Sequence, residues 1–146
     1  MRFLLISAGW NCADWLAQTL ASVEAQTLPN WEVAITYDPS EDDGADRIRT
    51  WCDARDDRWH PTINTERKFA TRNQYESAMA LQPEDDDVVI ILDLDGDQLA
   101  HPGVLERVGS AYDAGALMTY GQYRPIPDQG TSPFAQPYPA RVIAGN

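Results

Sequence analysis

Val88-Val89-Ile90-Ile91-Leu92-Asp93-Leu94-Asp95-Gly96-Asp97 changes character halfway, from an apolar, largely β-branched run to three acids at alternate positions. The apolar half has the length of a strand and the composition of one buried on both faces, as in a parallel sheet. The acids then emerge together at its C-terminal end, where open α/β sheets bind their ligands. Alternate residues of an extended segment face the same way, and Gly96 lets the backbone turn between two of the acids. Clustered carboxylates repel unless a cation lies among them. Their hard oxygens suit Mg²⁺ or Mn²⁺, with positions left open for phosphate oxygens. The Asp85-Asp86-Asp87 run stands before the strand, and reads as a solvated acidic turn.

Working outward, a chain of 146 residues with 43% hydrophobic residues is one domain's worth and can bury a real core. A net charge of -12 disfavours nucleic acid and anionic membrane surfaces as partners. A phosphate-bearing ligand would need a metal or a local arginine cluster to offset that field. No apolar stretch has the length of a membrane span, and the first seven residues lack the basic region and cleavage site of a signal peptide. Cys12 and Cys52 are too few and too far apart for a zinc site or a disulfide framework, so a reducing cytoplasm is the expected location. Lys68 is the single lysine among 11 basic residues, which disfavours most lysine-based mechanisms.

Strand and helix patterns alternate along the chain. Residues 2–7 read as a strand, and residues 13–26 as a helix whose Trp15, Leu16, Leu20 and Val23 recur at helical spacing before Pro29. Residues 31–37 read as a second strand, with Ser40 as the N-cap of a helix that ends near Cys52. Residues 58–63 are a weaker strand, and Asn64 or Thr65 caps a helix over about residues 66–81. After the Val88 strand, Pro102 suits the first turn of a helix carrying Val104, Leu105 and Val108 and ending by Gly115. Residues 117–120 are a candidate fifth strand. The absence of hairpin signals implies an α/β fold, Rossmann-like, with a mostly parallel sheet and helices on both faces. There is no glycine-rich dinucleotide fingerprint. From Tyr123 onward five of the ten prolines gather, and a long irregular segment is expected.

Several ordered segments carry a family resemblance. Leu4-Leu5-Ile6-Ser7-Ala8-Gly9-Trp10-Asn11 supplies a strand and an aromatic-Asn pair, and the helix after it ends in Ser22-Val23-Glu24-Ala25-Gln26-Thr27. Trp31-Glu32-Val33 enters the second strand, Tyr37-Asp38-Pro39-Ser40 follows it, Arg72-Asn73 lies in the third helix, and Asp95-Gly96-Asp97 comes last. Together they resemble the inverting nucleotide-sugar glycosyltransferases with the GT-A fold, family 2 in type, with Asp95-Gly96-Asp97 in the place of that family's DxD motif. Leu117 to Tyr123 and Pro137-Tyr138-Pro139 resemble a subgroup that includes viral members.

The resemblance implies a nucleotide-sugar-binding domain over residues 1–122, followed by a proline-rich loop or the start of an acceptor-binding region at 123–146. It implies that Ser7, Ala8, Gly9, Trp10 and Asp38 cradle the base and ribose, and that Arg72 contacts base or phosphate. Asp95 is then near the ribose or the metal, and Asp97 is the main ligand of an Mg²⁺ or Mn²⁺ ion bridging the two phosphates. The implied reaction moves a sugar, UDP-linked by expectation, to a hydroxyl of a glycan or protein acceptor with inversion. From the residues alone, Asp38 reads equally as a turn former beside Pro39, and Arg72 as a surface partner of Glu76.

Two departures qualify the match. Gln98 stands where the family often has a further acid, and an extra Asp93 precedes the motif. Inverting transfer also needs a general base, and neither Asp113 nor Asp128 has a motif to support that role, so no catalytic residue is assigned. The chain therefore reads as the nucleotide-binding part of such an enzyme, with an inactive nucleotide-binding module as the alternative. A haloacid-dehalogenase-like phosphatase with Asp93 as nucleophile is a weaker rival, because the downstream lysine and acidic pair of that family are absent. A calcium loop fails at Gln98 and Val104.

Overall fold

The computed structural model describes residues 1–121. Four strands and four helices alternate: β1 (Phe3–Gly9), α1 (Ala13–Glu24), β2 (Trp31–Tyr37), α2 (Gly44–Asp53), β3 (Trp59–Ile63), α3 (Phe69–Ala80), β4 (Val88–Ile91) and α4 (Val104–Asp113). The strands form one sheet in the order β3-β2-β1-β4, every pair parallel. The chain divides into two compact units, Met1–Ser110 and Ala111–Asn146. In the second, the end of α4 closes through the N–H of Gly115 on the Tyr112 carbonyl and that of Ala116 on Ala111. The proline-rich segment from Tyr123, with Asp128 and Pro137-Tyr138-Pro139, lies outside the described residues.

Side chains alternate across β1 and β2, so each face has its own cover. Leu4, Ile6 and Ala34 pack with Ala78 and Leu81 at the end of α3. On the same face the Thr36 and Ser77 hydroxyls are hydrogen-bonded. The opposite face carries Leu5, Val33, Ile35 and Tyr37, all fully buried, with α2 against β2, β3 and α1. Gly109 of α4 also lies there, close against the Phe3 ring. Leu16, Leu20 and Val23 form the buried stripe of α1, as their spacing requires.

The strand and helix expectations hold with shifts of a few residues, and the exceptions have physical causes. Ser40 does not cap α2, because its hydroxyl donates to the Asp38 carbonyl and accepts from the Asn11 N–H. The helix starts at Gly44, and the Asp42 carboxylate accepts from both Gly44 and Ala13, the first residues of α2 and α1. Neither Asn64 nor Thr65 caps α3, since that duty falls to Asp38. Residues 117–120 form no strand, and Leu117, Met118 and Tyr120 are exposed there. β4 is the edge of the sheet among the described residues. Val89 and Ile91 are accordingly 41% and 51% exposed rather than buried, because α3 lies over β1 and β2 and leaves this face open.

Candidate functional site

The order of the strands reverses at β1. The chain runs outward through β2 and β3 and then crosses back to place β4 on the other side of β1. This leaves a crevice beyond the carboxyl ends of β1 and β4. A cleft of about 290 Å³ lies there, lined by Ala8, Gly9, Trp10, Asp38, Arg67, Phe69, Asn73, Asp93 and Asp95 among others.

The β1–β4 ladder continues past the last formal residue of β4. Leu92 donates to the Ile6 carbonyl at 3.0 Å and Leu94 to that of Ala8 at 2.9 Å, with Leu94 fully buried. Alternation then turns Asp93 and Asp95 away from the side that Leu94 buries. Asp93 accepts from the Ala8 N–H at 3.3 Å and from the Gln74 side-chain amide at 3.0 and 2.9 Å. Asp95 is exposed and makes no hydrogen bond or ion pair among the described residues. At Gly96 the backbone has φ +118°, a conformation closed to L side chains, and the turn passes over the Trp15 ring. Asp97 is thereby brought back so that its carboxylate accepts from the Asp93 N–H at 3.3 Å. Desolvation raises the Asp97 pKa, the Asp93 N–H opposes that rise, and the charges of Asp95 and Asp93 add to it.

A polar clamp holds the segment after this turn. The Gln26 amide donates to the carbonyls of Ser22 and His101 and accepts from Leu105 N–H. Ser22 Oγ accepts from Leu99 N–H, and the Thr27 hydroxyl meets the Pro102 carbonyl and Glu106. The Ser22-to-Thr27 segment, read from sequence only as part of a resemblance, is thus a bracket that fixes residues 99–106. The signal present in the sequence was the polar Ser22, Gln26 and Thr27 at and just past the end of an amphipathic helix.

Asp38 forms the floor of the cleft beside β1. Its N–H bonds the Gly9 carbonyl at 3.0 Å. Only 2% of it is exposed. Its carboxylate accepts from Asn64 at 2.8 Å, Asn73 at 3.0 Å, Phe69 N–H at 2.9 Å and Lys68 N–H at 3.1 Å. Burial alone would raise its pKa, but the bonds from Asn73, Asn64, Phe69 and Lys68 outweigh it and hold the group below the ordinary carboxylate value. The negative charge also faces the first N–H groups of α3, where the helix dipole favours it.

The other expected residues divide into those inside and those outside the cleft. Ala8, Gly9 and Trp10 line it. Gly9 is required to be small, because a Cβ there would lie 2.8 Å from Cys12 Sγ and 2.9 Å from a Leu94 methyl. Ser7 is buried one residue earlier, its hydroxyl without a partner among the described residues. Arg72 is not brought into the cleft. It points outward from α3 and pairs with Glu76 one helical turn on, at 2.7 Å. The arginine that lines the cleft is Arg67, whose guanidinium stacks on the Trp10 ring. Sequence reading passed it over, since the loop before α3 gives no periodic signal.

No group of three or more His, Cys, Asp or Glu side chains able to hold a metal occurs among the described residues. Asp95 and Asp97 are nonetheless two hard-oxygen donors with no cation beside them, which fits a divalent ion whose remaining positions go to phosphate or water. Asp93 does not fit the phosphatase role, since Gln74 and the Ala8 N–H already hold its carboxylate.

These features define a GT-A, Rossmann-like fold with a ligand cleft at its switch point. The family model of Glycosyl transferase family 2 matches residues 6–138, and the chain belongs to that family. TarS 1-349 of S. aureus in complex with UDP has a similar fold, with TM-score 0.66 and 17% identity over 78% of this chain and 32% of TarS. The same protein in complex with UDP-GlcNAc matches with TM-score 0.60 and 18% identity over the same shares, 78% and 32%. Mannosyltransferase PcManGT from Pyrobaculum calidifontis, in complex with GDP-Man and Mn²⁺, matches with TM-score 0.61 and 21% identity over 71% of this chain and 30% of that one. The chain thus spans about a third of these structures. No curated protein sequence matches it.

Proposed function

We propose that this chain binds the nucleoside-diphosphate end of a nucleotide sugar, UDP-linked, as the donor part of a glycosyltransferase acting with inversion on a hydroxyl acceptor. The observation that carries the reading is one cleft, at the β1/β4 switch point, that joins Gly9, Trp10 and Asp38 to Asp93 and Asp95. The Ser7-to-Trp10 backbone and the Trp10 ring offer a flat, partly apolar wall for base and ribose. Asp38 serves that wall from beneath as a positioning residue, because its oxygens are already engaged by α3 and by Asn64 and Asn73.

Asp97 and Asp95 would hold the divalent ion. When bound, the ion neutralises the charge that gathers on the departing diphosphate. Asp93, fixed by Gln74, sets the direction of the acid segment rather than holding the ion. The family and the nucleotides held by the solved structures above support the donor class.

The test is titration of UDP, GDP and inorganic phosphate into wild type, Asp97→Ala and Asp93→Ala, each with and without Mn²⁺. Mn²⁺-dependent UDP binding that Asp97→Ala abolishes and Asp93→Ala largely keeps is the expected result. Metal-independent binding, or phosphate release that depends on Asp93, would overturn the reading.

A further inference from the structure

Among the described residues two arginines, Arg67 and Arg107, have no carboxylate partner, and of the two Arg67 lines the cleft. Arg2, Arg47, Arg49, Arg55, Arg58, Arg72 and Lys68 each pair with a carboxylate. Arg67 lies in a cleft that also holds Asp93 and Asp95. Yet among the described residues its side chain makes no hydrogen bond and no ion pair. Its guanidinium carbon sits 3.6 Å from the centre of the Trp10 ring and 4.6 Å from that of Phe69. All five of its donors are therefore available to a ligand.

The Phe69 ring is held where it is at a cost. Phe69 has φ +66°, a left-handed conformation that is strained for a bulky side chain, and its N–H is fixed by Asp38. The strain leaves the ring 62% exposed at the cleft rather than in the core, opposite a Trp10 that is 44% exposed. A guanidinium is flat and stacks on aromatic faces, so Arg67 covers the surface on which a nucleobase would lie.

Resting on the donor-binding reading above, we infer that Arg67 is a specificity-determining residue whose guanidinium leaves Trp10 to take the diphosphate, and so exposes the ring to the base. The exchange is one of partners: a cation–π contact is given up for forked, charge-assisted hydrogen bonds to phosphate oxygens, and base stacking replaces the cation on Trp10. A nucleoside without phosphates must displace Arg67 with nothing to receive it, and its apparent affinity is reduced accordingly. The cleft then selects nucleoside diphosphates over nucleosides by coupling its two halves.

The experiment measures UDP and uridine affinities of the full chain, with Mn²⁺, for wild type, Arg67→Ala and Arg67→Lys. Arg67 is exposed and its side chain touches only the Trp10 and Phe69 rings through exposed cation–π contacts, so both variants are expected to remain folded and to unfold within a few degrees of wild type. Arg67→Ala is expected to weaken UDP by at least about tenfold and to leave uridine unchanged or tighter, while Arg67→Lys recovers part of the UDP affinity. Equal weakening of both ligands, or unchanged UDP affinity, overturns the inference while the donor-binding reading stands. Failure of the wild type to bind UDP at all overturns both.

Discussion

The Gln74 side-chain amide donates to both oxygens of the Asp93 carboxylate, at 3.0 and 2.9 Å, and so ties α3 to the acid segment that follows β4. Both partners are half-buried, so the bond is not freely exchanged for water. Gln74→Ala and Asp93→Ala are each expected to cost about 1–2 kcal/mol, and the double variant less than their sum, by about 1 kcal/mol of coupling. Urea unfolding of the four proteins checks this, and strict additivity would contradict it.

Gln26 does not line the cleft, yet it fixes the backbone just beyond the acids. Gln26→Leu would strand the Leu105 N–H and remove one of the two donors to the His101 carbonyl, and a cost of about 1–3 kcal/mol is expected. Mn²⁺-dependent UDP affinity is expected to fall as well, measured on protein that remains folded. A variant of wild-type stability would show that the clamp is dispensable.

Gly96 carries φ +118° at the centre of the acid turn. A side chain can be accommodated in space, since the nearest atom to an added Cβ is 3.6 Å away on Trp15, but not in conformation. Gly96→Ala is therefore expected to cost about 1–3 kcal/mol and to displace Asp97. Circular dichroism melting and Mn²⁺ titration report the two effects separately.

Asp97 separates folding from binding. Its pKa stands above the unfolded value, so folding is disfavoured once the pH rises through it, and removing the charge relieves that penalty at neutral pH. Asp97→Asn is expected to melt no lower than wild type without metal, and to lose at least about tenfold in Mn²⁺-dependent UDP affinity. A lower melting temperature would refute the first half.

Acid sensitivity has the opposite sign. Hydrogen bonds from Asn73, Asn64, Phe69 and Lys68 outweigh burial at Asp38, and bonds from Ala13, Tyr37 and Gly44 do the same at Asp42. The Arg2 guanidinium lowers Asp87 chiefly by hydrogen bonding. Groups whose folded pKa is depressed stabilise the fold above the unfolded carboxylate value, near about 4, and lose that contribution as the pH falls through the folded value. Urea midpoints are expected to be level from pH 7 to 5 and to fall below pH 4, and less steeply in Asp38→Asn.

Periodicity and strand composition were sufficient to read the order of β1 to α4, because the apolar faces of β1 and β2 are covered by helices near in sequence, although the open face of β4 was not legible. Residues 117–120 looked like a strand for the same reasons, but a strand also needs a ladder, which local pattern does not report. Arg72 and Arg67 show the limit at the site. The first sits in a recognisable motif and faces Glu76, while the second owes its place to a left-handed Phe69, and backbone handedness cannot be read from residue type. Asp38 was legible as a residue at a strand end, but its four donors come from a loop and a helix that lie 26 to 35 residues further on.

The pairing of β4 with β1 also sets an order of events in the nascent chain. Ala8 and Asp93, whose contact closes one wall of the cleft, are 85 residues apart. A ribosome must release nearly a hundred residues before that wall exists, whereas β1, β2 and β3 can already pair through short crossovers. The inner edge of β1 thus waits open during synthesis, and the cleft is the last part of the sheet to be made. On the reading proposed above, a nucleotide has no site to meet before β4 has paired with β1.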